Sequence, residues 1–419
     1  MESTSTPFGA KFSEDLKPKE PDVSSLVAAL KPSFKGLVIC LSHSWGGLEQ
    51  VAAQDAEDLV SLGLKVSVLC LEKSPIYEHI KNRQKAGMAI EVVPLSFRPR
   101  DYFDFKLKKI IEKQILDGVN LIHLHQPSLL GSVSPWVRKF PHVALFASRH
   151  IMNNHNKKNF FHRFIYSRVD ALVAMSHTLR RNIIATHPVH PRQVKVVNLG
   201  LDFDRFDPQN VDPTQQRAAW GADANTIVVG LVGRIDPAKG QDTFIKAAAG
   251  LMKSKRDGER FKFVIVGEET LGSAANFLEE LKKMVAQFGV EEKVVFAGFQ
   301  EDIPSIMRAF DILVMPSLRE AFGLVAVEAM AMECPIIISR GGSSAEIVGE
   351  HQEYGLLIRP NDAFDLQRQV RYLIDHPEIR TQMGARARWH VKSNYDHSVR
   401  VKRTLVLYEE ALRRRSVSL

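Results

Sequence analysis

What most constrains this chain is a rhythm: short, uniformly apolar runs, each followed by a longer stretch with helical periodicity. Such runs fall at 36–41, 65–71, 89–93, 121–124, 143–147 and 171–174, and again at 194–199. Continuous apolar runs separated by helical or loop-like sequence belong to strands buried on both faces, hence to a parallel sheet covered by helices on each side. The unit is clearest near the start. The run 36–41 ends in Ser42-His43-Ser44-Trp45-Gly46-Gly47, after which Leu48, Val51, Ala52, Ala56, Leu59 and Leu62 give a helix one apolar face. Gly63 stops that helix before the next run, completing a βαβ unit.

After an aperiodic loop at about 202–215 the rhythm restarts at 227–231 and continues through 263–266, 294–296, 312–315, 336–338 and 356–358. The 419 residues are two to three times a typical domain, so the two halves read as two α/β domains sharing a cleft. The boundaries expected are a flexible N-terminal segment at 1–33, a first domain at 34–205, a second at 206–395 and a C-terminal helix at 396–419. Trp389, Val391, Tyr395, Val399, Leu405 and Tyr408 mark the tail after Pro377 as helical.

Composition narrows the function classes. Cys40, Cys70 and Cys334 lie in or beside apolar runs, without CxxC pairing or a His cluster at ligand spacing, and read as reduced core residues of a cytoplasmic protein. The longest apolar piece of the first 33 residues, 26–30, is too short for a signal-peptide core. No run approaches the roughly 20 residues of a membrane span, so any bilayer contact would be peripheral. A net charge of +8 permits an anionic partner of several kinds without ranking them.

In open α/β sheets ligands bind beyond the carboxyl ends of the strands, so the loops there carry the chemistry. The run 227–231 leads into Val232-Gly233-Arg234-Ile235-Asp236-Pro237-Ala238-Lys239-Gly240, which sets a guanidinium and an ammonium at a strand end. Together they suit a diphosphate, neutralising charge on a departing nucleoside diphosphate as a divalent ion would; a solvated basic loop would hold the same residues. The run 312–315 leads into a segment in which Glu320 and Glu328 lie eight positions apart. A helix starting near Gly323 leaves Glu320 in the loop, sets Glu328 in the second turn and aims the first-turn amides of Gly323, Leu324 and Val325 at the cleft. Carboxylates so placed suit sugar and ribose hydroxyls; two surface glutamates flanking an ordinary helix would look alike.

Taken in order, the Gly46-Gly47 loop, Gly233-Arg234 with Lys239-Gly240, the Gly298-Phe299 turn, Glu320 with Glu328, and Gly341-Gly342 before Glu346 resemble the retaining GT-B glycosyltransferases of family four. The resemblance covers almost the whole chain. It implies two Rossmann-like domains facing a central cleft, with a C-terminal helix packing back toward the first. It further implies that Arg234 and Lys239 bind the donor diphosphate, Glu320 contacts the transferred sugar and Glu328 holds the ribose. Gly46 and Gly47 would approach the phosphates, Phe322, Gly323, Leu324 and Val325 line the sugar and phosphate site, and Gly298 and Phe299 lie near the base. His150, at the end of the run 143–147, would stand near the reacting sugar, while His123 and His125 orient cleft loops. One departure is Glu333-Cys334-Pro335, where the family places Gly before Pro.

The activity so implied is metal-independent transfer of a mannose- or glucose-type hexose from GDP- or UDP-hexose, with no cofactor. Asp202-Phe203-Asp204 has the spacing of a metal motif from another transferase class, but it follows Asn198-Leu199-Gly200 and reads as the interdomain connection. On the acceptor side, Arg149, Lys157, Lys158, Arg163 and Arg168 alternate with Phe160, Phe161, Phe164 and Tyr166, with no carboxylate among residues 149–168. Arg98, Arg100, Lys106, Lys108 and Lys109 extend that basic character. This suits a phosphorylated lipid or lipopolysaccharide precursor and peripheral contact with an anionic membrane, at the inner face of the cytoplasmic membrane. A soluble acceptor or polysaccharide is the alternative. A basic nucleic-acid-binding protein shares the charge signature but leaves the second half unexplained. Neither strand-end loop matches GxGxxG, which argues against a dinucleotide-dependent oxidoreductase; a phosphorylase or epimerase on the same fold stays open.

Overall fold

The computed structural model describes residues 21–269, 276–318, 320 and 322–417. The first sheet contains β1 (Lys35–Cys40), β2 (Lys65–Leu71), β3 (Glu91–Leu95), β4 (Leu121–Leu124), β5 (Ala144–Arg149), β6 (Ala171–Ala174) and β7 (Val194–Val196). The second contains β8 (Thr226–Val232), β9 (Arg260–Val266), β10 (Val294–Gly298), β11 (Ile312–Met315), β12 (Ile336–Ser339) and β13 (Leu356–Ile358). Their orders are β3-β2-β1-β4-β5-β6-β7 and β10-β9-β8-β11-β12-β13. Each strand pairing is parallel, as runs of Val, Ile and Leu buried on both faces require.

In each sheet the winding reverses between the first and fourth strands, β1 and β4 in one and β8 and β11 in the other. A crevice opens at each reversal, because the helices following those two strands pack on opposite faces. The two-sheet α/β architecture expected from the rhythm is the one observed.

Several local readings change. β3 begins two residues later than the apolar run and includes Pro94, which an edge strand tolerates because one of its sides has no partner to receive an N–H. β5 runs on to Arg149, carrying Ser148 and Arg149 beyond the apolar stretch. Residues expected to be flexible form the helix Val23–Leu30, capped by Asp22, whose side chain accepts from the Ser25 amide at 2.7 Å. Leu26 and Leu30 of this helix are buried, each contributing about 1.5–3 kcal/mol, which outweighs the weak propensity of so short a helix.

The tail is two helices, Pro377–Tyr395 and His397–Val417, broken at Asp396, where ψ is 141°. At the break Leu201 donates to the Tyr395 carbonyl at 2.8 Å and accepts from the His397 amide at 3.0 Å, so both crossings of the chain between sheets are tied together. Trp389, expected on the apolar face, is 67% exposed, because two helical positions, about 200°, separate it from the buried Val391. The last helix lies on Val23–Leu30 and β5, with Leu405, Tyr408 and Ala411 in the first-sheet core. Within Glu333-Cys334-Pro335, Glu333 takes the left-handed conformation, φ 59°, and the turn still closes through Cys334 N–H to the Ala329 carbonyl at 2.9 Å. All three cysteines are free and buried.

Candidate active site

Both reversal points bear the residues singled out by sequence. At the second sheet, β8 ends in the Arg234 loop and β11 in the Glu320 loop. The two are laced together by Leu318 N–H donating to the Ala238 carbonyl at 2.9 Å. Asp236 accepts from the Ala238 amide at 2.8 Å, and the buried Gln241 donates from Nε2 to the Arg234 carbonyl at 2.7 Å. The loop is thus shaped by its own polar groups, leaving the Arg234 side chain 60% exposed, 3.9 Å from Asp236 Oδ2.

Lys239 Nζ donates to Glu320 Oε1 at 2.7 Å, so the cation and the carboxylate read separately from sequence form one pair. The Glu320 carbonyl accepts from the Ser343 amide at 3.0 Å. Gly342, φ 65°, lies so close behind it that a Cβ there would stand 1.8 Å from the Glu320 carbonyl oxygen. The Gly341-Gly342 motif is therefore the floor on which Glu320 rests. Gly323 caps the helix Leu324–Ala331, freeing the Leu324 and Val325 amides at its start. Burial pushes the Glu328 carboxyl up to about 7, with the Arg205 charge opposing. Gly298, φ 67°, presents Phe299, which is 63% exposed and whose amide donates to Glu268 Oε1 at 3.2 Å. The Phe322 side chain corrects an expectation: it lies in the core with its ring 5.6 Å from Tyr395, not in the cleft.

At the first sheet, the Gly46 amide donates to the buried Glu49 carboxylate at 2.9 Å, fixing the glycine loop at the start of the helix Gly47–Ser61. Gly47 from this domain and Leu324 from the other line one cavity of about 550 Å³, together with Gln50, Gln54 and Asp202. Two helix N-termini thus face one space, which favours an anion there. Asp202 Oδ1 accepts from the Asp204 and Arg205 amides at 3.0 and 3.2 Å, shaping the interdomain turn.

Beyond β4 and β5 lies a buried cluster only partly foreseen. His123 and His125 have ring centroids 4.5 Å apart, and His125 and His150 5.7 Å. His123 bonds Tyr408 Oη at 2.6 Å through Nδ1 and Ser148 Oγ at 2.8 Å through Nε2. Burial depresses both titrations, His123 well below the ordinary value and His150 to about 3. Asp55 faces His125 Nε2 at 3.1 Å and is gripped by Arg400 of the last helix, which also reaches Asp58 at 3.2 Å. Burial alone would raise the Asp55 carboxyl, but Arg400 first and His125 next hold it below the usual range. Asp55, His123 and His125 bring ligand-type atoms within 4.8 Å of one another. Both His123 nitrogens and one Asp55 oxygen are already engaged in hydrogen bonds and an ion pair, whereas both His125 nitrogens have no hydrogen-bond partner.

The proposed acceptor face divides. Lys158 and Arg163 are exposed and Lys157 half-buried, whereas Arg149 is half-buried and lines a cavity with His150 and Asp55. Arg168 is buried and paired with Asp170 at 3.2 Å, and Tyr166 is core, so neither belongs to the surface. The structure adds Tyr102, Phe103, Phe105 and Trp136, whose rings cluster with Phe161, and Lys108 sits 4.9 Å over Trp136. No helix among the described residues is long and apolar enough to cross a membrane.

Two parallel sheets with reversal points opposed across a cleft define the GT-B class. Within it, the family described as Glycosyltransferase Family 4 matches residues 45–205 and that described as Glycosyl transferases group 1 matches residues 212–390. The chain belongs to these family-four, group 1 glycosyl transferases. A D-inositol 3-phosphate glycosyltransferase of Salinispora arenicola is 31% identical over 257 residues, 59% of this chain and 56% of that protein. The lipopolysaccharide core biosynthesis mannosyltransferase LpsB of Rhizobium meliloti is 32% identical over 201 residues, 48% of this chain and 54% of that one. The chain thus spans about half the length of these curated relatives. A crystal structure of a glycosyltransferase from Rickettsia africae aligns with a TM-score of 0.80 at 20% identity, covering 91% of this chain and 99% of that chain, a likeness of fold.

Proposed function

We propose that this chain is a retaining glycosyltransferase that moves a mannose- or glucose-type hexose from GDP- or UDP-hexose to a lipid-linked or lipopolysaccharide acceptor, without a bound metal ion. The observation that carries the reading is the pairing of Lys239 with Glu320 at 2.7 Å beside Arg234, at a reversal point and next to the N-terminus of the helix Leu324–Ala331. An entering diphosphate competes with Glu320 for the Lys239 ammonium, and the released carboxylate turns to the sugar hydroxyls. As the sugar leaves, negative charge grows on the diphosphate, and Arg234, Lys239 and the helix amides are already placed to receive it. Glu328 in the second turn suits the ribose. His150 at the end of β5 approaches from the acceptor domain.

Exposed Phe160 and Phe105 among Lys106, Lys108, Lys158 and Arg163 support an amphiphilic anionic acceptor and peripheral attachment to an anionic membrane at the cytoplasmic face. LpsB, named for lipopolysaccharide core biosynthesis, supports the same acceptor class.

The test is calorimetric binding of GDP, UDP and ADP, with and without chelator, to wild type and to R234A/K239A. One nucleotide binds wild type equally with chelator, and the double variant binds it roughly a hundred-fold or more weakly, since each charge-assisted hydrogen bond contributes about 1.5–3 kcal/mol. Binding of none of them overturns the reading, and binding that chelator abolishes overturns its metal independence.

A further inference from the structure

The buried cluster contains polar atoms without partners. His125 is fully buried; its Nδ1 has no partner and its Nε2, although 3.1 Å from Asp55, is poorly aligned for a hydrogen bond. His150 Nε2 is likewise enclosed and unpartnered. Buried polar groups are rarely left so, and each exception asks for a reason. Beside them lies a cavity of about 20 Å³ lined by Asp55, His123, Ser148, Arg149, His150 and Arg400, among others, room for one ordered water. The only cation touching Asp55 among the described residues arrives on the helix His397–Val417, which comes back from the second sheet.

We propose that Arg400 is a positioning residue for transfer: by pairing the buried Asp55 carboxylate it fixes the arrangement of His125 and His150 beside the cleft. The chain of action runs from the returning helix to the helix Gly47–Ser61, then to β4 and to the end of β5. The charged and titratable groups facing Asp55 are Asp58 on its own helix, His123 of β4 and His125 just after it, Arg149 of β5 and His150 just after it, and Arg400 and Tyr408 from the last helix. With Arg400 present, the Asp55 charge is taken up by a guanidinium, and burial keeps His150 and His123 unprotonated. With Arg400 gone, Asp55 stands uncompensated against an imidazole at 3.1 Å and draws a proton onto it. An imidazolium next to His150 changes the charge and hydrogen bonding at the cleft wall. Asp58 keeps a partner in His397 at 2.8 Å, so the loss falls on Asp55.

This rests on the transferase reading for its kinetic arm, and a second readout separates the two. Histidine side-chain NMR across pH 5 to 9 on the full chain shows His150 unprotonated throughout in wild type; in Arg400→Met the ring signals of His125 and His150 move, as their charge partner and arrangement change. In transfer assays, R400M loses roughly ten-fold or more in kcat at little change in donor KM and gains a new limb in its pH profile. Arg400→Lys, which keeps a cation, recovers most of the rate. The double variant D55N/R400M, which removes both charges, returns to a flat profile. If R400M does not fold, the comparison rests on R400K and D55N/R400M. A wild-type rate and pH profile in folded R400M, His150 protonating near pH 6.5 in wild type, or R400K and D55N/R400M equally slow with unaltered profiles each overturn the proposal. A wild type that transfers no sugar yet shows the histidine pattern overturns the function, not the positioning.

Discussion

The two sheets share a winding order and differ in what they do with charge. At the second, charge is displayed: Arg234 is largely exposed, and Lys239 pairs with a Glu320 set in a loop at the cleft. At the first, charge is drawn inward: Asp55 and Arg400 are both buried, and Arg400 pairs with Asp55 while also lining the cavity shared by Gly47 and Leu324. A displayed pair can exchange partners when a ligand enters; a buried pair cannot without losing several kcal/mol of desolvation. The fold places both crevices, and the desolvation of each decides whether its residues bind or brace.

The sharpest way to break this contrast is Glu320→Gln. If the displayed pair works on the reacting sugar, the folded variant loses about 10²–10³-fold in kcat, the scale of removing one group that stabilises a transition state. Donor affinity changes less, because Lys239 remains for the diphosphate. A Glu320→Gln enzyme that transfers at the wild-type rate would make the Lys239 pair an ordinary surface bridge.

What sequence could and could not see follows the same line. Strands and their loops were legible because burial on both faces leaves continuous apolar runs, and Arg234, Lys239, Glu320 and Glu328 stood out as charges directly after them. The Lys239 bond to Glu320 spans 81 positions and that of Arg400 to Asp55 spans 345, distances at which no local pattern speaks. Nothing in the sequence marks Arg400, since the break at Asp396 that turns it inward depends on the backbone of Leu201. The helix Val23–Leu30 left a signal, Asp22 as its cap, but its core partners lie on the last helix, beyond any window. Phe322 read as a pocket residue because its neighbours are; its contact with Tyr395 comes from the far tail.

The next largest effect concerns Glu328, the exception within the displayed set because its carboxyl is enclosed. Its pKa in the folded protein, about 7, lies above the ordinary 4.5, so the folded state holds the proton more tightly than the unfolded chain. The stability this gives is complete below about pH 4.5 and is lost as pH rises to 7, at most about 3 kcal/mol. Chemical denaturation at pH 5 and pH 7.5 measures it, and Glu328→Gln should flatten that part of the slope. An unchanged slope in the variant would mean that solvent reaches the carboxylate and that Glu328 belongs with the displayed charges after all.

The smallest effect compares two turns. Gly63, before β2, and Glu333, before β12, both take left-handed conformations, φ 78° and 59°, closing the same bond: Leu64 N–H to the Leu59 carbonyl at 3.0 Å and Cys334 N–H to the Ala329 carbonyl at 2.9 Å. A non-glycine residue there costs about 1–2 kcal/mol, partly offset by the greater unfolded-state freedom of glycine. Reciprocal variants should therefore move in opposite directions: Glu333→Gly stabilises by about 0.5 kcal/mol and Gly63→Ala destabilises by about 1 kcal/mol, read as urea midpoints. Glu333 is exposed, so glycine forfeits little packing, and its carbonyl already lies against Gly384, where a Cβ would stand 2.1 Å away. If Glu333→Gly instead destabilises, the glutamate side chain holds the turn, and the second sheet has replaced a backbone preference with an interaction the first sheet does not need.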